Sequence, residues 1–255
     1  MSRTAPTTPE NLWLPLRRTR TSSPRIRLFC FPFAGGAASV YRTWPEAYPQ
    51  DVEVLPVQLP GREKRMREAP FKHLDELLDA MVPILRPHLD KPFALFGHSM
   101  GAIIAYGVAR RLIESGAPKP AHLFVSARAA PHRVAREEPI HSMPGPQFVE
   151  ALKKMGGTPP QVLEHKELME LVEPLLRADL QLNEGYVHRE SSPLPCPLTA
   201  FCGAQDQEAE EEPMRAWEDM TAGTFRFHLF PQGHFFIDEA RDELIQEIVG
   251  DLAQH

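Results

Sequence analysis

Apolar positions in this chain fall into two alternating patterns. Short, near-continuous β-rich runs occupy Arg25 to Phe31 ("RIRLFCF"), Val52 to Val57, Phe93 to Phe96, His122 to Ala127, Leu198 to Cys202 and Phe225 to Phe230. Between them, apolar residues return every three or four positions, which predicts helices over Ser39 to Tyr48, Leu74 to Leu89, Met100 to Ser115, Glu208 to Met220 and Phe236 to Ala253. Strands that are apolar throughout are buried on both faces, and strands separated by helices pair in parallel through crossover connections. The pattern predicts an α/β fold: a mostly parallel sheet with helices on both faces.

One interval breaks the alternation. From about residue 128 to 195 no strand-like run occurs, and Leu168, Leu171, Val172, Leu175, Leu176 and Leu180 recur near the helical period. We expect a helical lid inserted at 128–195 within a single domain spanning 1–255; extra helices that merely enlarge the core are the alternative.

Composition narrows the partners. The 255 residues carry 28 Lys plus Arg against 34 Asp plus Glu, a net charge of -6 that offers no broad footprint for nucleic acid. The N-terminus, "MSRTAPTTPENLWLPLRRTR", lacks the apolar core of a signal peptide, and no apolar run reaches the about 18 residues of a membrane span, so a cytoplasmic chain without membrane contact is expected. Cys30, Cys196 and Cys202 lie in or beside strand-like runs without metal-ligand spacing and read as reduced core residues. Nothing in the charge or apolar pattern demands a dimer, and a monomer is expected.

The chemistry centres on "FALFGHSMGAIIA", where Gly97 and Gly101 bracket Ser99 at a strand-to-helix transition. A serine on such a turn is held in a strained backbone geometry, and glycines two residues away let strand and helix pack closely. The hydroxyl projects at the carboxyl edge of the sheet, where the following helix also points its free N–H groups. Ser99 is the candidate nucleophile. It needs a base and a carboxylate to orient that base. In this arrangement the acid follows a late strand and the histidine the last one. Asp206 is the first carboxylate after "LTAFCG", with Glu208 the alternative; His234 lies in the "PQGHFF" turn after the final run, with His228 inside that run as the weaker choice. His98 reads as a packing residue of the turn. Two amides would hold the developing oxyanion. One is Met100, immediately after the serine; the other comes from "FPFAGGAAS" after the first strand, with Ala34 the candidate and Phe33 next.

With "FPFAGGAAS", "LPGRE", "GHSMGA", "GTPPQVL", "LLRADL" and "QGHFF" in this order, the sequence from about Leu28 to Phe236 resembles the discrete type II thioesterases of nonribosomal peptide and polyketide synthases. The resemblance implies an α/β-hydrolase fold with a helical lid and hydrolysis of acyl groups from the phosphopantetheine thiol of carrier proteins, clearing misprimed or stalled synthases. It assigns Ser99, Asp206 and His234 to the triad and Met100 and Ala34 to the oxyanion hole. The chain departs from the family at Glu63 and Lys64, where small residues are common, and at Gln232, where a glycine is frequent.

The implied partners are acyl or peptidyl carrier protein domains, with no cofactor beyond the substrate's own pantetheine and no metal. The basic stretches Arg17 to Arg20 and Arg62 to Arg67 are candidates for meeting acidic carrier helices or the pantetheine phosphate. An acyltransferase, a general carboxylesterase or a non-catalytic acyl-binding module are the alternatives on the same scaffold.

Overall fold

The computed structural model describes residues 9–17, 20–21, 23–133 and 138–255. In chain order the elements are α1 (Pro9–Trp13), β1 (Ile26–Phe31), α2 (Trp44–Ala47), β2 (Val52–Pro56), α3 (Leu74–Leu85), β3 (Phe93–His98), α4 (Met100–Glu114) and β4 (His122–Ser126). They continue as α5 (Gly145–Met155), α6 (Pro160–Glu164), α7 (Lys166–Glu184), β5 (Leu198–Gly203), α8 (Glu211–Arg215), β6 (Phe225–Phe230), α9 (Phe236–Glu239) and α10 (Arg241–Leu252).

The strands form one sheet in the order β2-β1-β3-β4-β5-β6, each neighbouring pair parallel. Successive side chains alternate between its faces. Phe29, Leu55, Leu95, Leu123 and Val125 enter a core closed by Met81, Ile103 and Leu112 of α3 and α4. Leu28, Val54, Ala94, Phe96 and Phe124 enter the opposite core, against Trp44, Phe236, Leu244 and Ile248. Both faces are therefore covered, which is why the runs read as continuously apolar. The three cysteines are buried and unbridged.

Helix ends depart from the periodic reading, in two cases at prolines. The segment expected to be helical over Ser39 to Tyr48 is a 3-10 turn (Ala38–Tyr41) followed by one turn of α2, and Tyr48 before Pro49 is extended. The expected Leu74 to Leu89 helix stops at Leu85, two residues before Pro87, and tightens into a 3-10 turn. Glu208 to Met220 divides into α8 and a 3-10 stretch, and Phe236 to Ala253 breaks at Ala240.

Between β4 and β5 stand α5, α6 and α7, whose own cluster of Phe148, Leu152, Met169, Leu176 and Leu180 packs against Ala34. Of the six apolar positions expected to form their inward stripe, Leu176 and Leu180 are buried and Val172 and Leu175 half-buried. Leu168 and Leu171 are 41% and 62% exposed. The inward stripe runs Met169, Val172, Leu176, Leu180, and Leu168 and Leu171 lie about 85° and about 145° round the helix from its centre.

Trp44, 1% exposed, meets the rings of Tyr41 and Phe96 at 4.8 and 5.0 Å. Trp44→Ala is expected to destabilise the fold by about 3–5 kcal/mol. In urea unfolding this appears as a lower midpoint at unchanged slope.

Candidate active site

β3 runs directly into Ser99 and then α4. Ser99 sits at φ 53, ψ -119, a conformation costing a non-glycine residue on the order of 1–3 kcal/mol. Backbone bonds hold it there: its N–H donates to Ser126 O at 2.8 Å, and its carbonyl accepts from Ala102 N at 2.9 Å. A Cβ on Gly97 would stand 1.9 Å from the Gly101 carbonyl oxygen, and one on Gly101 would stand 2.0 Å from that of Phe31. Only glycine permits these approaches, so the G-x-S-x-G spacing reflects backbone contact on both sides of the serine.

Asp206 and His234 follow the carboxyl ends of β5 and β6, which are adjacent strands. Their loops are joined by Ala204 N to Phe230 O (2.7 Å) and Gln205 N to Gln232 O (3.0 Å). The carboxylate and imidazole consequently meet, with His234 Nδ1 2.8 Å from Asp206 Oδ2. The other carboxylate oxygen accepts the amides of Glu208 (2.8 Å) and Ala209 (3.1 Å). Because Asp206 accepts at Nδ1, that nitrogen carries the proton and Nε2 is the basic one. Ser99 and His234 line the same two cavities, though no hydrogen bond joins them among the described residues.

The alternatives fall elsewhere. His228 is paired in β6 and stands 3.2 Å from Glu247. Glu208 lines the cavity wall while Asp206 holds the imidazole. His98 is fully buried, its Nδ1 2.8 Å from Ser126 Oγ and its ring 5.4 Å from that of His234. Burial first, and then His234, hold its pKa well below the ordinary histidine value, so it stays neutral.

The Ala34 amide makes no hydrogen bond among the described residues, and Ala34 lines a cavity with Ser99. Met100 opens α4, so its amide has no intrahelical acceptor. Two donors are thus available beside the serine.

The two cavities differ in kind. One, of about 40 Å³, lies between the Phe33–Ala34 loop and Leu152, Met155, Leu176 and Leu180. The other, of about 420 Å³, extends past Arg128, His132, Arg133, Tyr186 and His188. Arg128 donates to Asn183 Oδ1 at 2.8 Å, and burial lowers its pKa to about 10, leaving it charged at neutral pH. Burial raises the Tyr186 phenol to about 12. Neither residue was singled out by sequence, because no motif marks the wall of a cavity. A larger cavity of about 730 Å³ beside α3 and α4 contains neither Ser99 nor His234.

The basic stretches require correction. Arg62 and Arg65 are each only 5% exposed. Arg62 forks onto Asp179, while Arg65 pairs with Glu68 and stacks 4.3 Å over Trp13. Their charges are spent inside the protein, which leaves Lys64 and Arg67 as the exposed cations of that stretch. In the first stretch, Arg17 bonds Glu10 and Glu53, Arg20 bonds the carbonyl of Tyr48, and Arg18 lies outside the described residues. Among the described residues, no helix is long and apolar enough to cross a membrane, and no group of three His, Cys, Asp or Glu side chains could hold a metal ion.

A parallel sheet with a strained serine between its third strand and the next helix is the architecture of the α/β-hydrolases. The chain belongs to the thioesterase family, whose domain model matches residues 26–252, and it is a thioester hydrolase. It is 37% identical over 225 residues to the gramicidin S biosynthesis protein GrsT of Aneurinibacillus migulanus, covering 88% of each chain. The RedJ thioesterase from the prodiginine pathway of Streptomyces coelicolor superposes with a TM-score of 0.84 at 37% identity, over 98% of this chain and 91% of RedJ. The type II thioesterase BorB from the borrelidin biosynthetic cluster gives 0.84 at 35% identity, over 96% of this chain and all of BorB (100%). The resemblance read from the six motif strings is borne out.

Asp206→Ala removes the acceptor that fixes His234. The expected loss in kcat is on the order of 10³- to 10⁴-fold with the fold retained, measured by steady-state thioester hydrolysis beside circular dichroism.

Proposed function

We propose that this chain is an editing thioesterase, hydrolysing acyl groups from the phosphopantetheine arm of carrier proteins and so clearing misprimed or stalled nonribosomal peptide or polyketide synthases. The observation that carries this reading is the pair of unlike cavities meeting at Ser99 and His234. The larger, polar-rimmed one suits a long pantetheine arm arriving from a partner, and the small apolar one suits the acyl group. The printed names of GrsT, RedJ and BorB, all from peptide, prodiginine or borrelidin biosynthesis, support the same setting.

In this mechanism His234 Nε2 takes the proton of Ser99 as Oγ attacks the thioester carbonyl. The Ala34 and Met100 amides stabilise the resulting oxyanion, and Asp206 stabilises the imidazolium. Collapse expels the pantetheine thiolate, whose conjugate acid has a pKa of about 8.5, and His234 returns the proton to the sulfur. Water, deprotonated by His234, then attacks the Ser99 acyl ester; the acyl–Oγ bond breaks, His234 returns the proton to Oγ, and the acid is released. We assign α5, α6 and α7 to a lid over a single α/β-hydrolase domain, opening to admit the carrier-borne substrate.

The small cavity also bears on chain length. Its about 40 Å³, against the ~10–15 Å³ that one water occupies by the same measure, holds about three water-sized groups, which suits an acyl group of about two or three carbons. Leu176 and Met155 close its lid side.

Carrier proteins bearing acetyl, medium and long acyl groups, followed by intact mass, test the proposal. Acetyl should be lost fastest, the matching simple esters should turn over more slowly, and Ser99→Ala should be inactive. Faster cleavage of simple esters than of carrier thioesters would overturn the carrier reading. Leu176→Ala should raise kcat/KM for the medium acyl carrier relative to acetyl by about 10-fold, as expected for a few methylenes of new apolar room.

A further inference from the structure

α7 turns Leu176, Asp179 and Leu180 toward the body of the protein, and the two leucines line the Ser99 cavity. Asp179 is the exception in this apolar surface. It is 2% exposed, and a buried carboxylate is costly unless paired and hydrogen-bonded. Both conditions are met. Arg62 binds it through a fork, Nη1 to Oδ2 at 2.7 Å and Nη2 to Oδ1 at 2.8 Å, and Gly35 N–H donates to Oδ2 at 2.7 Å. Arg62 also donates to the carbonyls of Gly36 (3.0 Å) and Pro60 (3.1 Å).

These bonds converge on the loop that carries Ala34. Gly35 has φ +76, and a Cβ there would stand 2.6 Å from Leu176 Cδ2, so α7 presses directly on the loop. The Gly35 N–H belongs to the peptide plane that follows Ala34, and fixing that plane fixes the backbone bearing the Ala34 amide. An apolar side chain at 179 would cover the loop without desolvating a charge, and replacement of buried ion pairs by apolar residues is often neutral or stabilising. What the carboxylate adds is direction.

We propose that Asp179 is a positioning residue of the oxyanion hole: from the lid helix it orients the Phe33–Gly36 loop so that the Ala34 amide faces the developing oxyanion. The inference rests on the thioesterase reading. Its consequence is that the hole is complete only while α7 is packed down. When α7 lifts, Gly35 loses its acceptor and Arg62 its partner, so acyl transfer is coupled to lid closure.

The test compares wild type, Asp179→Ala and the double variant Arg62→Leu/Asp179→Leu, with Ser99→Ala as control, on acetyl-carrier protein and on p-nitrophenyl acetate. Each is also titrated with an acetyl-like trifluoromethyl ketone, whose hemiketal oxyanion occupies the hole, and with the corresponding unreactive thioether. Asp179→Ala, which leaves Gly35 without its acceptor, should lower kcat about 10- to 100-fold with KM within about twofold, a smaller loss than the about 10²- to 10³-fold of deleting a donor outright. Affinity for the ketone should fall by the same factor and affinity for the thioether should not. The double variant leaves no buried charge unpaired, should fold, and should show the same losses because Gly35 still lacks its acceptor. Near-wild-type kcat and ketone affinity in the double variant would overturn the proposal, as would an Asp179→Ala enzyme altered only in melting temperature or KM. If wild type cleaves the ester but not the carrier thioester, the carrier reading fails while the ester and ketone comparison still decides the role of Asp179.

Discussion

The meeting of three backbones at Ser99 is the constraint on which the site depends. The carboxyl end of β1, the end of β3 and the first turn of α4 approach so closely that a single methyl at position 97 or 101 would overlap a carbonyl oxygen. That compression holds Ser99 at positive φ, directly before Met100, whose amide opens α4 and so has no intrahelical acceptor. Strain of this kind persists only where surrounding packing over-determines it. Here the packing is the sheet itself, with Phe29, Leu95 and Val125 on one side of the central strands and Leu28, Phe96 and Phe124 on the other.

From that fixed point the other groups are placed by strand order. β5 and β6 are neighbours, so the residues beyond their carboxyl ends are neighbours too, and two backbone bonds between the loops bring Asp206 and His234 into contact. The first loop, after β1, lies across the sheet from them. It faces Ser99 through Ala34 and is held from above by α7 through Asp179 and Leu176. The site is therefore assembled from a rigid half, the sheet and its turns, and a half that depends on the helices inserted between β4 and β5.

Some of the chain's basic charge is turned inward. Arg62 and Arg65, which in sequence resemble a basic surface cluster, are absorbed by Asp179, Glu68 and main-chain carbonyls. Arg128, inside the cavity wall, keeps its charge despite burial because even a pKa of about 10 leaves it protonated at neutral pH. The electrostatic character of the larger Ser99 cavity thus comes from Arg128, His132 and Arg133 after β4, from His188 and from the carboxylates Glu184 and Glu208, and not from the two basic stretches.

By itself the sequence determined the α/β class, the six strands nearly to the residue, and the positions of Ser99, Asp206 and His234. These features are local: hydrophobic period, glycine spacing and order relative to strand ends are all written in neighbouring residues. Helix ends were less legible because prolines such as Pro49 and Pro87 cut periodic stretches whose apolar pattern continues past them. Only the tertiary structure decided that Arg62 is an internal residue, that Leu168 and Leu171 face solvent while Met169 faces inward, and that a carboxylate of α7 reaches the loop of Ala34. Those outcomes depend on which distant segments touch. Arg62 and Asp179 are 117 residues apart, and no local pattern records a contact that exists only once the helices between β4 and β5 fold back over the sheet edge.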